Sequence, residues 1–132
     1  MKRFSFITLA LIALVSITAM SPAKDDKVKP KIQRIVCFKF KAGITAEAKQ
    51  KHMADFAAFV KLVPQVLSYR AGKSVKGESK TDPAYDVMHY MTFGKEADIL
   101  VYDGHAAHKK FIEDNKASWE TVMAVNSTIE KD

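Results

Sequence analysis

The chain has little of several features that would mark a special class of protein. One Cys among 132 residues cannot form an intrachain disulfide, which excludes a disulfide-stapled mini-protein. Five Gly and four Pro are too few for a collagen-like or low-complexity sequence. Because 48% of the residues are hydrophobic and 27% are charged, the composition instead predicts one globular domain.

Uncharged stretches of membrane length are also scarce, and the one present lies at the N-terminus. The run Phe4–Met20 carries no charge, Lys2 and Arg3 precede it, and Ser21-Pro22-Ala23 follows it. This pattern predicts a secretory signal peptide over residues 1–23, and therefore export to the periplasm or the exterior. The alternative is an uncleaved membrane anchor, although the run is slightly short for a spanning helix. After cleavage we expect no stable membrane association, and a flexible polar segment over 24–31.

A dense positive charge, which nucleic-acid-binding proteins need, is missing as well. Without residues 1–23 the chain keeps 19 basic and 15 acidic residues, a net charge of +4. The Lys residues are spread between acids, and no stripe of Arg with interleaved aromatic residues occurs. We therefore predict a solvated Lys-rich surface and no binding to nucleic acid.

What the sequence does contain is an ordered succession of strand and helix patterns. Alternating or continuous apolar residues indicate strands, and apolar residues at helical spacing indicate helices. Thr45 is the predicted N-cap of the first helix, with Glu47 in its first turn. We predict strands over 33–41, 66–75, 85–93 and 119–128, helices over 46–62, 95–102 and 105–116, and a polar loop over 76–84.

This β-α-β-β-α-β order is typical of the ferredoxin-like fold, an α+β fold with an antiparallel sheet and helices on one face. The strands are apolar on both faces, and Ile35-Val36-Cys37-Phe38 is the clearest example. The sheet face away from the helices therefore needs a partner. We expect a homodimer in which two sheets face each other around a shared interior, forming a dimeric α/β barrel.

Four segments of the sequence resemble a known family, the stress-responsive A/B barrel domain family. The resemblance covers about residues 32–129. Its most specific part is Tyr102-Asp103-Gly104-His105-Ala106-Ala107-His108, in which Ala106 stands where the family usually has Pro. The other matching segments are 35–41, 64–68 and 85–93.

The resemblance implies a pair of catalytic residues. One plant member of the family closes a polyketide ring without a cofactor, using the last His of this segment as base and a Tyr six residues earlier as an assistant. The equivalent positions here are His108 and Tyr102. If the chain is an enzyme, the resemblance therefore implies a cofactor-independent lyase or cyclase reaction. Arg34 and Val87 stand where that enzyme has His, which implies a different substrate.

His108 also has a chemical argument of its own. Imidazole titrates near neutral pH, which suits proton transfer, and a position near a helix start disfavours its charged form. Tyr102 would donate a hydrogen bond to a developing enolate oxygen or hold the imidazole in one tautomer. The alternative is that both residues have only a structural role and hold the last helix in place.

Further residues are candidates for binding a ligand. Arg34 suits an anionic group, and we expect Arg34 and His52 near the mouth of the cavity. His89 lies in a strand between apolar residues, as either a site residue or a hydrogen-bonded core residue. His105 and His108 have a spacing found in metal sites, but no third ligand is near in sequence and we predict no metal. The last three candidates fit a pocket wall or the core equally well, namely Phe56, Met91 and Trp119.

The sequence thus favours an exported dimer that binds a small apolar or aromatic molecule in its barrel cavity, with cofactor-independent acid/base chemistry as an extension. The alternative is a structural stress-response protein with a packed interior and no activity. Convergence of Arg34, His89, Tyr102 and His108 on one cavity would favour chemistry, and a solid interior would favour the structural function.

Overall fold

The computed structural model describes residues 27–75 and 84–131. The predicted signal peptide and nearly all of the predicted loop over 76–84 lie outside these residues and stay predictions. Within them, the predicted order of elements is confirmed, with a 3-10 turn over Lys116–Ser118 before the last strand. The elements are β1 (Ile32–Phe40), α1 (Ala46–Val60), β2 (Ser68–Lys73), β3 (Val87–Phe93), α2 (Ala97–Gly104), α3 (Ala106–Asn115) and β4 (Trp119–Thr128).

The four strands form one sheet in the order β2-β3-β1-β4, and every neighbouring pair is antiparallel. This is the ferredoxin-like α+β arrangement that the sequence predicts. The strand predicted over 66–75 is shorter than expected, because the Val66 N–H donates to the Val63 carbonyl in a turn that follows α1. The pairing of β1 with β4 shifts register between Lys39 and Phe40.

Strand alternation separates the sheet into a helix face and an outer face. On β3, the face formed by Val87, His89, Met91 and Phe93 is buried. Its neighbours on β1 are Val36, Phe38 and Phe40, which join the same core as residues of all three helices. The helices contribute the following residues to this core: Phe56, Phe59, Val60, Ile99, Tyr102 and Phe111.

The helix ends follow the local sequence. The Oγ1 of Thr45 accepts a hydrogen bond from the Ala48 N–H at 3.1 Å, which confirms the predicted N-cap of α1. Before it, Gly43 turns the chain with a φ of 80°, a conformation that favours Gly. Nδ1 of His105 accepts a hydrogen bond from the Ala107 N–H at 3.1 Å, so His105 caps α3.

The outer face of the sheet is partly apolar, and no helix within residues 27–75 and 84–131 covers it. Met88 on β3 and Val125 on β4 are 45% and 48% exposed. Val125 lies opposite Ile35 of β1, and Met88 lies opposite Cys37. In the described part of the chain, no helix is long and apolar enough to cross a membrane.

Candidate functional site

A small cavity of about 110 Å³ lies between the helix face of the sheet and the helices. All of its lining groups belong to the helix face of the sheet or to the helices, because these residues alternate onto the same side as the hydrophobic core. The interior that the sequence predicts between two facing sheets lies on the other side of the sheet and stays a prediction. The lining residues include Arg34, Tyr102, His108, Phe111, Trp119 and Ala124.

His108 is presented to this cavity as a neutral imidazole. Its Nδ1–H donates to the main-chain carbonyl of Asp103 at 3.1 Å, and because a carbonyl only accepts, the lone pair of the ring is on Nε2. Burial lowers the pKa of His108, and the hydrogen bond to Asp103 opposes that effect only in part. In the described residues Nε2 has no hydrogen-bond partner, so it is available as a proton acceptor.

Tyr102 lies beside this imidazole, with ring centroids 4.5 Å apart. Its side chain is almost fully buried, and burial raises the pKa of the phenol, so the hydroxyl keeps its proton at neutral pH. Among the described residues the hydroxyl makes no hydrogen bond to protein. A protonated phenol next to a neutral imidazole combines a hydrogen-bond donor with a base, which is the pairing that the resemblance implies.

Arg34 completes the polar part of the cavity. Its side chain is 12% exposed, and its Nη1 lies 3.1 Å from Oδ1 of Asp103. The Cζ atom lies 5.2 Å from the ring centroid of Tyr102, within the range of a cation–π contact. Arg34, Tyr102 and His108 therefore meet at one cavity, although 68 positions separate Arg34 from Tyr102 in the sequence.

A second polar group, built on two buried histidines, fills the middle of the core. Both His52 and His89 are completely buried. Burial lowers the pKa of His52 to about 4, and burial together with the charge of His52 lowers the pKa of His89 to about 3. Both rings are therefore neutral at pH 7. His52 does not lie at the cavity mouth, so that prediction was wrong.

One chain of hydrogen bonds connects these histidines to two aromatic residues. The Nε1–H of Trp119 donates to Nδ1 of His52 at 3.0 Å, and an indole can only donate. His52 therefore carries its proton on Nε2 and donates it to Nε2 of His89 at 3.1 Å. His89 in turn donates from Nδ1 to the hydroxyl oxygen of Tyr69 at 2.9 Å. The chain is fully paired, which is the hydrogen-bonded core arrangement considered for His89.

The predicted site residues divide between these two groups. His105 is occupied in capping α3, and Met91 is buried in the core. Tyr69 and Asp103 were missed, since nothing in the sequence next to either residue indicates its partner. In the described residues, no group of three or more His, Cys, Asp or Glu is placed to hold a metal. The predicted residues that line the cavity are Arg34, Phe56, Tyr102, His108 and Trp119, and those that do not are His52, His89, Met91 and His105.

A larger groove of about 640 Å³ lies between α1 and the ends of β2 and β3. Lys49, Met53 and Lys73 are among its lining residues. Its carboxylate, Asp86, already accepts a hydrogen bond from the Phe40 N–H at 2.8 Å through Oδ2. The groove has neither a base nor a phenol comparable to His108 and Tyr102, so the smaller cavity is the better candidate for chemistry.

Comparison with known proteins agrees with this fold. The model of the stress responsive A/B barrel domain family matches residues 32–129. No curated protein matches the sequence.

Several solved structures share the fold at low sequence identity. A hydroxynitrile lyase from Passiflora edulis is 20% identical with a TM-score of 0.68, over 79% of this chain and 98% of that one. A dimeric ferredoxin-like protein of unknown function from Thermobifida fusca is 16% identical with a TM-score of 0.66, over 76% and 92%. A protein of the same family from Mesorhizobium loti is 15% identical with a TM-score of 0.63, over 78% and 100%.

Proposed function

Because the chain belongs to the stress responsive A/B barrel domain family, we propose that it binds a small molecule in the cavity of His108 and moves a proton at Nε2 of that residue, without a cofactor. One observation carries the proposal: a neutral imidazole with a free Nε2, a protonated phenol and a guanidinium line the same cavity. Such a set can remove a proton and stabilise the oxyanion that forms. The fold shared with a hydroxynitrile lyase supports chemistry of this type.

In the proposed proton transfer, His108 acts as the base and Tyr102 as a hydrogen-bond donor. Nε2 of His108 takes a proton from a carbon next to a carbonyl, or from a hydroxyl group of the ligand. In the first case the pair of the C–H bond forms a C=C bond, and the π pair of the carbonyl moves onto the ligand oxygen. In the second case the pair of the O–H bond forms a C=O bond, while the bond from that carbon to the departing group breaks and its pair leaves with that group, which then receives the proton. Tyr102 donates a hydrogen bond to the oxygen that becomes negative. The proton then returns from the imidazolium to the product, so no external oxidant or reductant is needed.

The cavity volume restricts the ligand. An apolar cavity of about 150 Å³ holds benzene, whereas this cavity measures about 110 Å³. The enclosed part of the ligand therefore has about four or five non-hydrogen atoms. Hydroxyacetone, which has a carbonyl, a hydroxyl and exchangeable methylene protons, fits this limit. Acetone cyanohydrin is one atom larger and reports the cleavage reaction of a hydroxynitrile lyase.

The test measures exchange of the methylene protons of hydroxyacetone in D2O by proton NMR, and release of cyanide from acetone cyanohydrin. His108→Ala should slow either reaction by about 100-fold or more, the usual contribution of a general base. His105→Ala is the matched control, since it removes the other His of the segment and only a helix cap. It should leave the rate unchanged within about twofold and lower stability by about 1 kcal/mol.

Two outcomes would contradict proton transfer at His108. The first is a wild-type rate no higher than that of free imidazole at equal concentration. The second is an equal loss of rate in His105→Ala and His108→Ala. Circular dichroism of both variants shows whether they fold, and His108→Gln provides a second variant that keeps a polar side chain.

A purely structural function is the second candidate, and one observation favours it. The cavity of about 110 Å³ is smaller than the ~300–1,000 Å³ of most ligand pockets. Phe38, Phe56 and the two buried histidines fill the space beside it, with the ring centroids of Phe56 and His89 only 3.7 Å apart. If no small carbonyl, hydroxyl or carboxyl compound binds, this structural function replaces the first proposal.

We also propose that two copies of the chain associate through the outer face of the sheet. Dimeric ferredoxin-like relatives from Thermobifida fusca and Bacteroides fragilis support this assembly. The exposed Met88 and Val125 contribute apolar contact area to that face. Because His108 lies on the opposite side of the sheet, each protomer keeps its own cavity.

A further inference from the structure

The guanidinium of Arg34 is unusual in being buried without a hydrogen-bond acceptor. The side chain is 12% exposed, yet none of its N–H groups donates to an acceptor in the described residues, and Nε and Nη1 are fully buried. Nη1 lies 3.1 Å from the Asp103 carboxylate, but its N–H bonds do not point at that oxygen. The contact is therefore an ion pair without a hydrogen bond.

The partners of Arg34 in the protein compensate its burial only weakly. Asp103 is 43% exposed, and ion pairs with such a solvated partner contribute little. The ring of Tyr102 attracts the positive charge of the guanidinium. It does not accept a hydrogen bond from the N–H groups, which point outward in the guanidinium plane. A buried donor without an acceptor is costly, and more so when it is charged. An acceptor supplied by a ligand would remove that cost.

A carboxylate is the ligand group that fits this requirement best. A guanidinium presents parallel N–H donors at the spacing of two carboxylate oxygens, and the charges attract. Arg34 lines the same cavity as Tyr102 and His108, so an anion held by the guanidinium has its remaining atoms beside the base. A neutral ligand would provide an acceptor without the opposite charge.

We propose that Arg34 makes this cavity selective for a short-chain carboxylic acid, whose carboxylate binds the guanidinium while a carbonyl or hydroxyl carbon faces His108. The placement of a carbonyl or hydroxyl carbon at His108 rests on the proposed function, whereas the binding of a carboxylate by Arg34 is independent of it. The substrate class is then a 2-oxo or hydroxy acid of about five or six non-hydrogen atoms, of which the cavity encloses about four or five.

Propionate and propionamide are the probes that test the charge preference. They have the same number of non-hydrogen atoms and nearly the same shape, and differ in charge. Titration of the protein with each probe, followed by the amide NMR shifts of residues around the cavity, gives two dissociation constants. We expect propionate to bind at least about tenfold more tightly than propionamide. Equal dissociation constants, or binding of neither probe, would overturn the inference.

Three variants test whether the preference for propionate over propionamide depends on Arg34. Arg34→Gln should reduce the ratio of the two constants to near one, and Arg34→Lys should keep part of it because the charge stays while the parallel donors are lost. Asp103→Asn should strengthen propionate binding by about twofold or more, because it removes a competing carboxylate. Lys109→Gln is the control, since it removes an exposed positive charge next to His108 in the sequence and should leave the ratio unchanged.

The result separates this inference from the proposed function. Exchange of hydroxyacetone protons without any preference for propionate would leave proton transfer intact and overturn the role of Arg34. Preference for propionate without proton exchange on hydroxyacetone or pyruvate would establish the anion site and overturn the catalytic proposal. A preference that persists in Arg34→Gln would also contradict the inference, because another group would then hold the carboxylate.

Discussion

Trp119 donates a hydrogen bond to Nδ1 of His52 at 3.0 Å, and this bond sets the direction of every later bond in the buried chain. An indole has no acceptor, so His52 is forced to donate to His89, and His89 to Tyr69. The four side chains come from α1 and three different strands. The chain therefore ties one helix to strands across the sheet. It orders Trp119 and also Phe56, which stacks on His89, and both residues line the candidate cavity.

Tyr69→Phe tests the last bond of this chain. The substitution keeps the ring but leaves Nδ1–H of His89 without an acceptor, which should lower the free energy of unfolding by about 1–3 kcal/mol. Urea denaturation measures the change. Tyr90→Phe is the matched control on the neighbouring strand, because the Tyr90 hydroxyl makes only a long 3.3 Å bond to Gln33, and it should cost less than about 0.5 kcal/mol. Equal losses in the two variants would show that the chain does not stabilise the core.

The two buried histidines predict acid sensitivity. Their folded-state pKa values of about 4 and about 3 lie below the value of about 6.5 in an unfolded chain. Between these values the unfolded state binds more protons, so stability is complete above about pH 6.5 and falls as the pH decreases. We expect a loss of about 2 kcal/mol per pH unit between pH 6 and 4. Urea denaturation across this range measures the slope.

The double variant His52→Gln, His89→Gln is the control for that slope. It should be less stable at pH 7 but much less dependent on pH, because no buried imidazole remains to be excluded from protonation. If the wild type kept the same stability from pH 7 to pH 4, or if the double variant kept the wild-type slope, the histidines would not be the cause.

Val125→Asp tests the proposed dimer. Val125 lies on the outer face and is 48% exposed in the isolated chain, so a carboxylate there would be buried between two sheets and should shift the protein to monomer. Val122→Asp is a matched control, since it lies on the same strand with 45% exposure but on the helix face. Size-exclusion chromatography with light scattering should find this second variant dimeric. Monomers in both variants, or in neither, would contradict the proposed interface.

Asp86→Ala tests the junction of β1 and β3. The Asp86 carboxylate accepts the Phe40 N–H at 2.8 Å, and the Asp86 N–H donates to the Phe38 carbonyl. Removal of the carboxylate leaves the Phe40 N–H without its partner and should cost about 1–3 kcal/mol in chemical denaturation. Asp86→Asn keeps an acceptor and should lose about half as much or less. The interpretation would be wrong if Asn and Ala were equally destabilising.

The fold was predictable because its determinants are local. The order of strands and helices follows from the apolar patterns, and the Thr45 cap correctly predicts the start of α1. The predicted end of α2 at residue 102 was less exact, since the helix continues through Gly104. That difference matters, because it places the Asp103 carbonyl where it can accept the hydrogen bond from His108.

The site was predictable only in part. The resemblance identifies Tyr102 and His108, which are near each other in sequence and meet in space. It does not predict that His52 would bond to a strand residue 37 positions away and to Trp119 67 positions away. A histidine's environment depends on which neighbours the packing supplies, and neither charge nor spacing along the chain encodes that.

By itself, the sequence determined the order of strands and helices, because that order depends on periodicities and short-range neighbours. The pairing of a base with a phenol came from the resemblance to a family. Only the tertiary structure decided which polar residues line the cavity and which form hydrogen bonds within the core. The register of β1 between β3 and β4, with the packing of the helices over it, brings Arg34 to Tyr102 and Asp103 at the cavity. The same packing places His89 beside His52 and Phe56, where a complete set of hydrogen bonds removes it from chemistry.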